Sequence, residues 1–110
     1  MLRLWVDDLR EPPDDTHFWA RTYEEAILYL LLHVHEIGDI VIHLDHDLGG
    51  EHTGYDLACW IERQFFETGV APKMVWCHSQ NPVGRKRIEQ VIAQIYTKHT
   101  MDNLVVHRLE

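Results

Sequence analysis

Three short groups stand out among the acidic, imidazole and hydroxyl side chains of the 110-residue chain: Asp7-Asp8, Asp45-His46-Asp47 and His78-Ser79. Gathered in one pocket, several carboxylates repel each other, so either their proton affinities rise or a hard divalent cation neutralises them. The cation is the expected solution. Asp7, Asp8 and Asp45 supply oxygen donors suited to Mg²⁺ or Mn²⁺, and ligation by His46 or His78 would shift the preference toward Mn²⁺, Fe²⁺ or Zn²⁺. A histidine titrating near neutrality is a natural proton carrier beside such an ion. Each group also has a plainer use. Aspartates after strands commonly cap turns, His46 between two aspartates reads equally as a solvated loop residue, and His78 after an apolar run as a half-buried core histidine.

The order of elements decides whether the clusters meet. Leu2–Val6 is a short β-branched and aromatic run ending in acid, residues 9–16 hold Pro12-Pro13 and Asp14-Asp15 and read as a loop, and residues 18–21 make a brief second strand. Thr22 and Glu25 form a T-x-x-E capping box before the apolar stripe Ala26, Ile27, Leu30, Leu31 and Val34, predicting a helix that ends near Gly38. Ile40–Leu44 reads as a third strand that feeds a glycine-rich acidic loop. Residues 54–66 carry Leu57, Ala58, Ile61 and Phe65 at helical spacing, with Gly69 and Pro72 closing that helix. Met74–Cys77 reads as a fourth strand. Asn81-Pro82 then starts a helix with the stripe Ile88, Val91, Ile92 and Ile95, and residues 104–107 read as a fifth strand. Strands separated by helices point to a parallel α/β sheet, whose ligands bind beyond the carboxyl ends of the strands. All three clusters belong at that edge.

Together, W-V-D-D-L-R-x-P-P at the first strand, L-D-H-D-L-G after the third, T-G-Y-D at the next helix and H-S-x-N-P-x-G after the fourth resemble the receiver-like family named for cyclic-phosphate processing. The resemblance covers nearly the whole chain, residues 1–110 as a single receiver-like domain. It implies a flavodoxin-like, mainly parallel five-stranded sheet of order 2-1-3-4-5 that lacks the first and last receiver helices. In receivers, the positions matching Asp7 and Asp8 hold Mg²⁺, the position matching Asp45 accepts a phosphoryl group, and Ser79 matches a Ser/Thr. The receiver lysine after the fifth strand has no counterpart, because His107 and Arg108 stand there. Action on a cyclic phosphate, carried by Asp7, Asp8, Asp45, His46, Asp47 and His78, is what the resemblance implies. A non-enzymatic module binding a nucleotide or protein partner, and phospho-acceptor signalling through Asp45, are the other readings.

Opening a phosphodiester ring needs a nucleophilic water, neutralisation of charge on phosphorus and an acid for the leaving alkoxide. His78 is the candidate acid, with His46 as base or ligand and Asp47 beside it. The free N–H groups of the helix starting at Asn81, together with Ser79, Arg85 and Arg10, are candidate phosphate binders. Arg85, Lys86 and Arg87 read equally as a solvated helix face, Tyr55 and Trp60 as packing, and Cys59 and Cys77 as small core hydrophobes.

Composition bounds the partners. Ten basic against eighteen acidic residues give a charge of −8, which disfavours non-specific nucleic-acid binding and leaves a small phosphate-containing ligand or nucleotide as the expected partner. No apolar run approaches the ~20 residues that span a bilayer. A chain opening at Met1 without a basic-then-apolar leader, with two unclustered cysteines, is expected in the cytoplasm. With two receiver helices missing, right-handed crossovers put all the remaining helices on one sheet face. The opposite face, with Trp5, His43 and Trp76, is expected to be covered by the Pro12-Pro13 segment, by a second copy in a homodimer, or by a partner.

Overall fold

The computed structural model describes residues 1–109, with side-chain surroundings given for residues 1–102. Four strands, β1 (Leu2–Val6), β2 (Phe18–Ala20), β3 (Ile40–Leu44) and β4 (Met74–Cys77), form one sheet in the order β2-β1-β3-β4, and every neighbouring pair is parallel. Three helices accompany them: α1 (Tyr23–Leu32), α2 (Gly54–Thr68) and α3 (Pro82–Leu109).

Alternation along the strands divides the sheet into two unlike faces. Leu4, Val6, Ile40, Ile42 and Leu44 are wholly buried against Ala26 and Leu30 of α1, Leu57, Ala58 and Ile61 of α2, and Ile88 and Ile95 of α3, in one continuous core. The helices therefore share a single layer, α2 between α1 and α3. Trp5, His43 and Trp76 occupy the helix-free face, in register with one another across β1, β3 and β4. The connection from β1 to β2 covers part of that face. Trp5 Nε1 donates to the Arg10 carbonyl at 2.8 Å, and Arg3 Nη1 donates to Thr16 Oγ1 at 3.0 Å. Trp76 stays 50% exposed and Met74 43% exposed.

Helix ends follow local side-chain chemistry. Thr22 Oγ1 accepts from the Glu25 N–H at 3.1 Å, but the Glu25 carboxylate accepts from Arg21 N rather than from Thr22 N, so the expected box is half made. The reciprocal box lies at α2, where Thr53 and Asp56 satisfy each other's backbone N–H groups. Gly69 ends α2 at φ 76°, a left-handed conformation that glycine adopts without a Cβ penalty. Asn81 caps α3 as expected, its Oδ1 accepting from the Gly84 N–H at 3.0 Å.

Three expectations need correction. The described residues form four strands, not five, because residues 104–107 continue α3 as helix. Nothing between Gly84 and that segment breaks a helix, and Lys98 pairs with Asp102 at 2.8 Å one turn on. The side chains of the segment lie outside the described residues. The first helix ends at Leu32 and passes into a 3₁₀ turn, Val34–Asp39. Its stripe is also narrower than the spacing predicts: Leu31 and Val34 are about half exposed, and Tyr29, stacked on Phe18 at 4.7 Å, takes a buried place instead.

Candidate active site

The hydrogen-bond ladder runs one residue past each strand and so fixes the site's first members. Asp7 N donates to Ala20 O (3.1 Å), Asp45 N to Val6 O (2.9 Å) and His78 N to Leu44 O (3.1 Å). These residues stand on adjacent strands at the carboxyl edge, two positions beyond Trp5, His43 and Trp76, and so on the helix-free side. Carboxylate oxygens of Asp7, Asp8 and Asp45 lie within 4.8 Å of one another. With Leu9, Arg10, Asp47 and Gln80 they line an open cleft of about 260 Å³.

Asp7 is 1% exposed and heavily bonded. Its Oδ1 accepts from the backbone N–H groups of Leu9 and Arg10, both at 2.9 Å, and its Oδ2 accepts from Arg10 Nε at 3.0 Å. Arg10 is the cation of the cleft. Its Nη2 donates to the His78 carbonyl at 2.8 Å and stands 3.9 Å from Asp45 Oδ1, so one guanidinium ties the end of β1 to the ends of β3 and β4.

His78 lies 3.2 Å from Arg10 Nη2 through its Nδ1. A guanidinium only donates, so Nδ1 accepts and the ring proton belongs on Nε2. That Nε2 is the one buried side-chain nitrogen or oxygen without a hydrogen-bond partner among the described residues. Burial, and then the Arg10 charge, push the His78 pKa below the usual histidine value, against the weaker opposite pull of Asp7 and Asp45. Trp5 stacks on the ring at 4.4 Å.

The other predicted residues sit around this centre. The pleat that sends Asp45 to the cleft sends His46 toward the helices, where its ring fills the space of a side chain at Gly84: a Cβ there would stand 2.3 Å from His46 Cγ. His46 still reaches Asp47, Nδ1 to Oδ1 at 3.1 Å, and Asp47 lines the cleft with its side chain 67% exposed. Gly54 lets α2 start directly against the Asp45 carbonyl, which a Cβ would meet at 1.9 Å. Ser79 is 4% exposed and its Oγ accepts from Asn81 N at 3.1 Å, at the start of α3. Arg85 pairs with Glu89 at 3.3 Å on the exposed side of α3. Of the predicted site residues, His46, His78, Ser79, Asn81 and Arg85 do not line the cleft. Gln80 and Trp5 were not singled out for the site from sequence. Trp5 had a signal in its alternation with Asp7, whereas Gln80 had none.

The family model of the cyclic-phosphate processing receiver domain matches residues 2–94. The chain belongs to that family. The match takes in every residue of this receiver domain's cleft and ends within α3. No curated protein and no solved structure matches the chain. No helix among the described residues is long and apolar enough to cross a membrane.

Proposed function

We propose that this receiver domain is a metal-dependent phosphoesterase that opens a cyclic phosphate. The observation that carries the reading is the convergence of Asp7, Asp8 and Asp45 within 4.8 Å, beside a guanidinium, in an open cleft. An all-oxygen set of this kind fits Mg²⁺ or Mn²⁺. When bound, such an ion supplies a Lewis acid for a phosphoryl oxygen and a water of lowered pKa.

The chain's own groups divide the remaining work. Arg10, with 44% of its side chain exposed, pairs a non-bridging phosphate oxygen. Asp47, oriented by His46, takes the proton from the attacking water. The water oxygen bonds to phosphorus, the ring P–O bond breaks, and the proton that Asp47 has taken passes to the leaving alkoxide to give an acyclic phosphomonoester, while the neutral His78 ring braces Arg10 through Nδ1. The position of Arg10 among the acids favours this reading over phospho-acceptor signalling.

The test is turnover of nucleoside 2′,3′-cyclic phosphates with Mg²⁺ or Mn²⁺. Loss of turnover by at least about 100-fold in Asp45→Asn is expected, with a smaller loss in His78→Ala, which removes the ring that braces Arg10. Ligand-induced thermal stabilisation without turnover would replace the enzyme with a binding module, and labelling of Asp45 by a small phosphodonor would restore the signalling reading.

A further inference from the structure

The helix-free face carries a row of rings. Strand register sets Trp19 beside Trp5, Trp5 beside His43, and His43 beside Trp76, so that four aromatic side chains cross the sheet at one level. Neighbouring strands stand about 4.8 Å apart, and the acidic row of Asp7, Asp45 and His78 lies two residues, roughly 6.6 Å, further along the same face.

One end of the row is closed. The Arg21 guanidinium covers Trp19 at 4.1 Å, His78 stacks on Trp5, and His17 stands edge-on to Trp5 at 5.9 Å. The other end is open. Trp76 is 50% exposed, and among the described residues no ring or guanidinium lies over it. His43 adjoins it at the border of the closed cluster, half-buried with Trp5 at 5.5 Å and His17 edge-on at 5.6 Å, and Met74 of the same strand face is 43% exposed. An exposed indole in register with an imidazole offers a flat, sequence-tolerant stacking surface of the kind that holds nucleobases. Asp45 lies one strand over and two residues on from Trp76, roughly 8 Å away at the backbone, a span that a nucleoside carrying a phosphate bridges.

We propose that His43 and Trp76 form a base-stacking subsite, so that the cyclic phosphate entering the acidic cleft is carried by a nucleoside. This inference rests on the cleft taking the phosphate. A second copy of the chain fits the surface less well: the open strip of Val41, Met74 and Trp76 with part of His43, even continued over the sheet edge to Lys73, Ile92 and Tyr96, falls well short of the about 20–30 residues that a stable protein interface engages on each side.

The experiment measures binding of two probes in the presence of Mn²⁺, adenosine 2′,3′-cyclic phosphate and the base-free glycerol 1,2-cyclic phosphate, by calorimetry with wild-type protein, Trp76→Ala and Trp76→Phe. The nucleoside probe is expected to bind at least ~10-fold tighter than the base-free one. Trp76→Ala should weaken the nucleoside probe at least ~5-fold and leave the base-free probe unchanged, with Trp76→Phe restoring most of the loss. Equal binding of the two probes by the wild type, or equal weakening of both in Trp76→Ala, overturns the subsite while the cleft reading stands. Failure of both probes to bind overturns the cleft reading and the subsite with it. A wild-type dimer that Trp76→Ala dissociates in sedimentation assigns the surface to self-association and refutes the subsite.

Discussion

Replacing Arg10 by alanine should destabilise the protein without metal and tighten its hold on a metal. The guanidinium makes a 3.0 Å bond to the buried Asp7 carboxylate, a 2.8 Å bond to the His78 carbonyl and a 3.9 Å approach to Asp45. Hydrogen bonds to charged groups contribute about 1.5–3 kcal/mol. Because 44% of the Arg10 side chain is exposed, solvent screening brings the expected loss down to about 1–2 kcal/mol. The same charge opposes any ion that takes its place among the acids. A divalent cation roughly 5 Å from the guanidinium, even under water-like screening, meets about 1.7 kcal/mol of repulsion, or more than tenfold in affinity. Urea unfolding in EDTA should therefore show Arg10→Ala less stable than wild type by about 1–2 kcal/mol. Titration with Mn²⁺ should show it binding roughly tenfold tighter. Unchanged stability in EDTA, or Mn²⁺ affinity equal to or weaker than wild type, would refute the reasoning that Arg10 is the internal counter-cation of the cleft.

Two further perturbations probe the supports of the site. Gly84→Ala puts a methyl into the His46 ring and should cost about 1–3 kcal/mol in urea unfolding; adding His46→Ala should recover part of that loss, and strict additivity of the two would contradict the packing described. Tyr96 donates to Pro72 O at 2.7 Å, and burial raises its pKa from 10.0 to about 12. Folding thus favours its neutral phenol, so its contribution is complete below pH 10 and is lost as pH rises from 10 toward about 12. Tyr96→Phe should lose about 1 kcal/mol at neutral pH and show a shallower decline in stability across that alkaline window, read by denaturant melts at each pH.

The strands and the acidic edge were legible because each is written locally. Leu2–Val6 and Ile40–Leu44 alternate cleanly and end in aspartate, and Asn81-Pro82 announces a helix start. Which face each side chain takes followed from the same period of two. What escaped depended on tertiary context. Residues 104–107 have strand-like composition, yet no Gly or Pro separates them from the helix before, so the helix continues through Asp102 and Asn103. Val34 has the right spacing for a core stripe, but α1 has finished by Leu32, and past that point the helical period no longer aims a side chain at the sheet; within α1, Tyr29 rather than Leu31 takes the buried place. At the site, a loop's path from Asp8 to Thr16 decides that Arg10 turns back onto Asp7. Sequence adjacency placed His46 with Asp45, whereas the pleat sends them to opposite faces.

The central claim is that Asp7, Asp8 and Asp45 share one cation, and counting bound Mn²⁺ by electron paramagnetic resonance tests it most directly. Wild-type protein is expected to take up one Mn²⁺ per chain and Asp45→Asn to bind at least ~10-fold more weakly, since a ligating carboxylate becomes neutral. Wild-type protein that leaves all the Mn²⁺ free at millimolar concentration, or an Asp45→Asn variant that binds as tightly as wild type, would contradict the account.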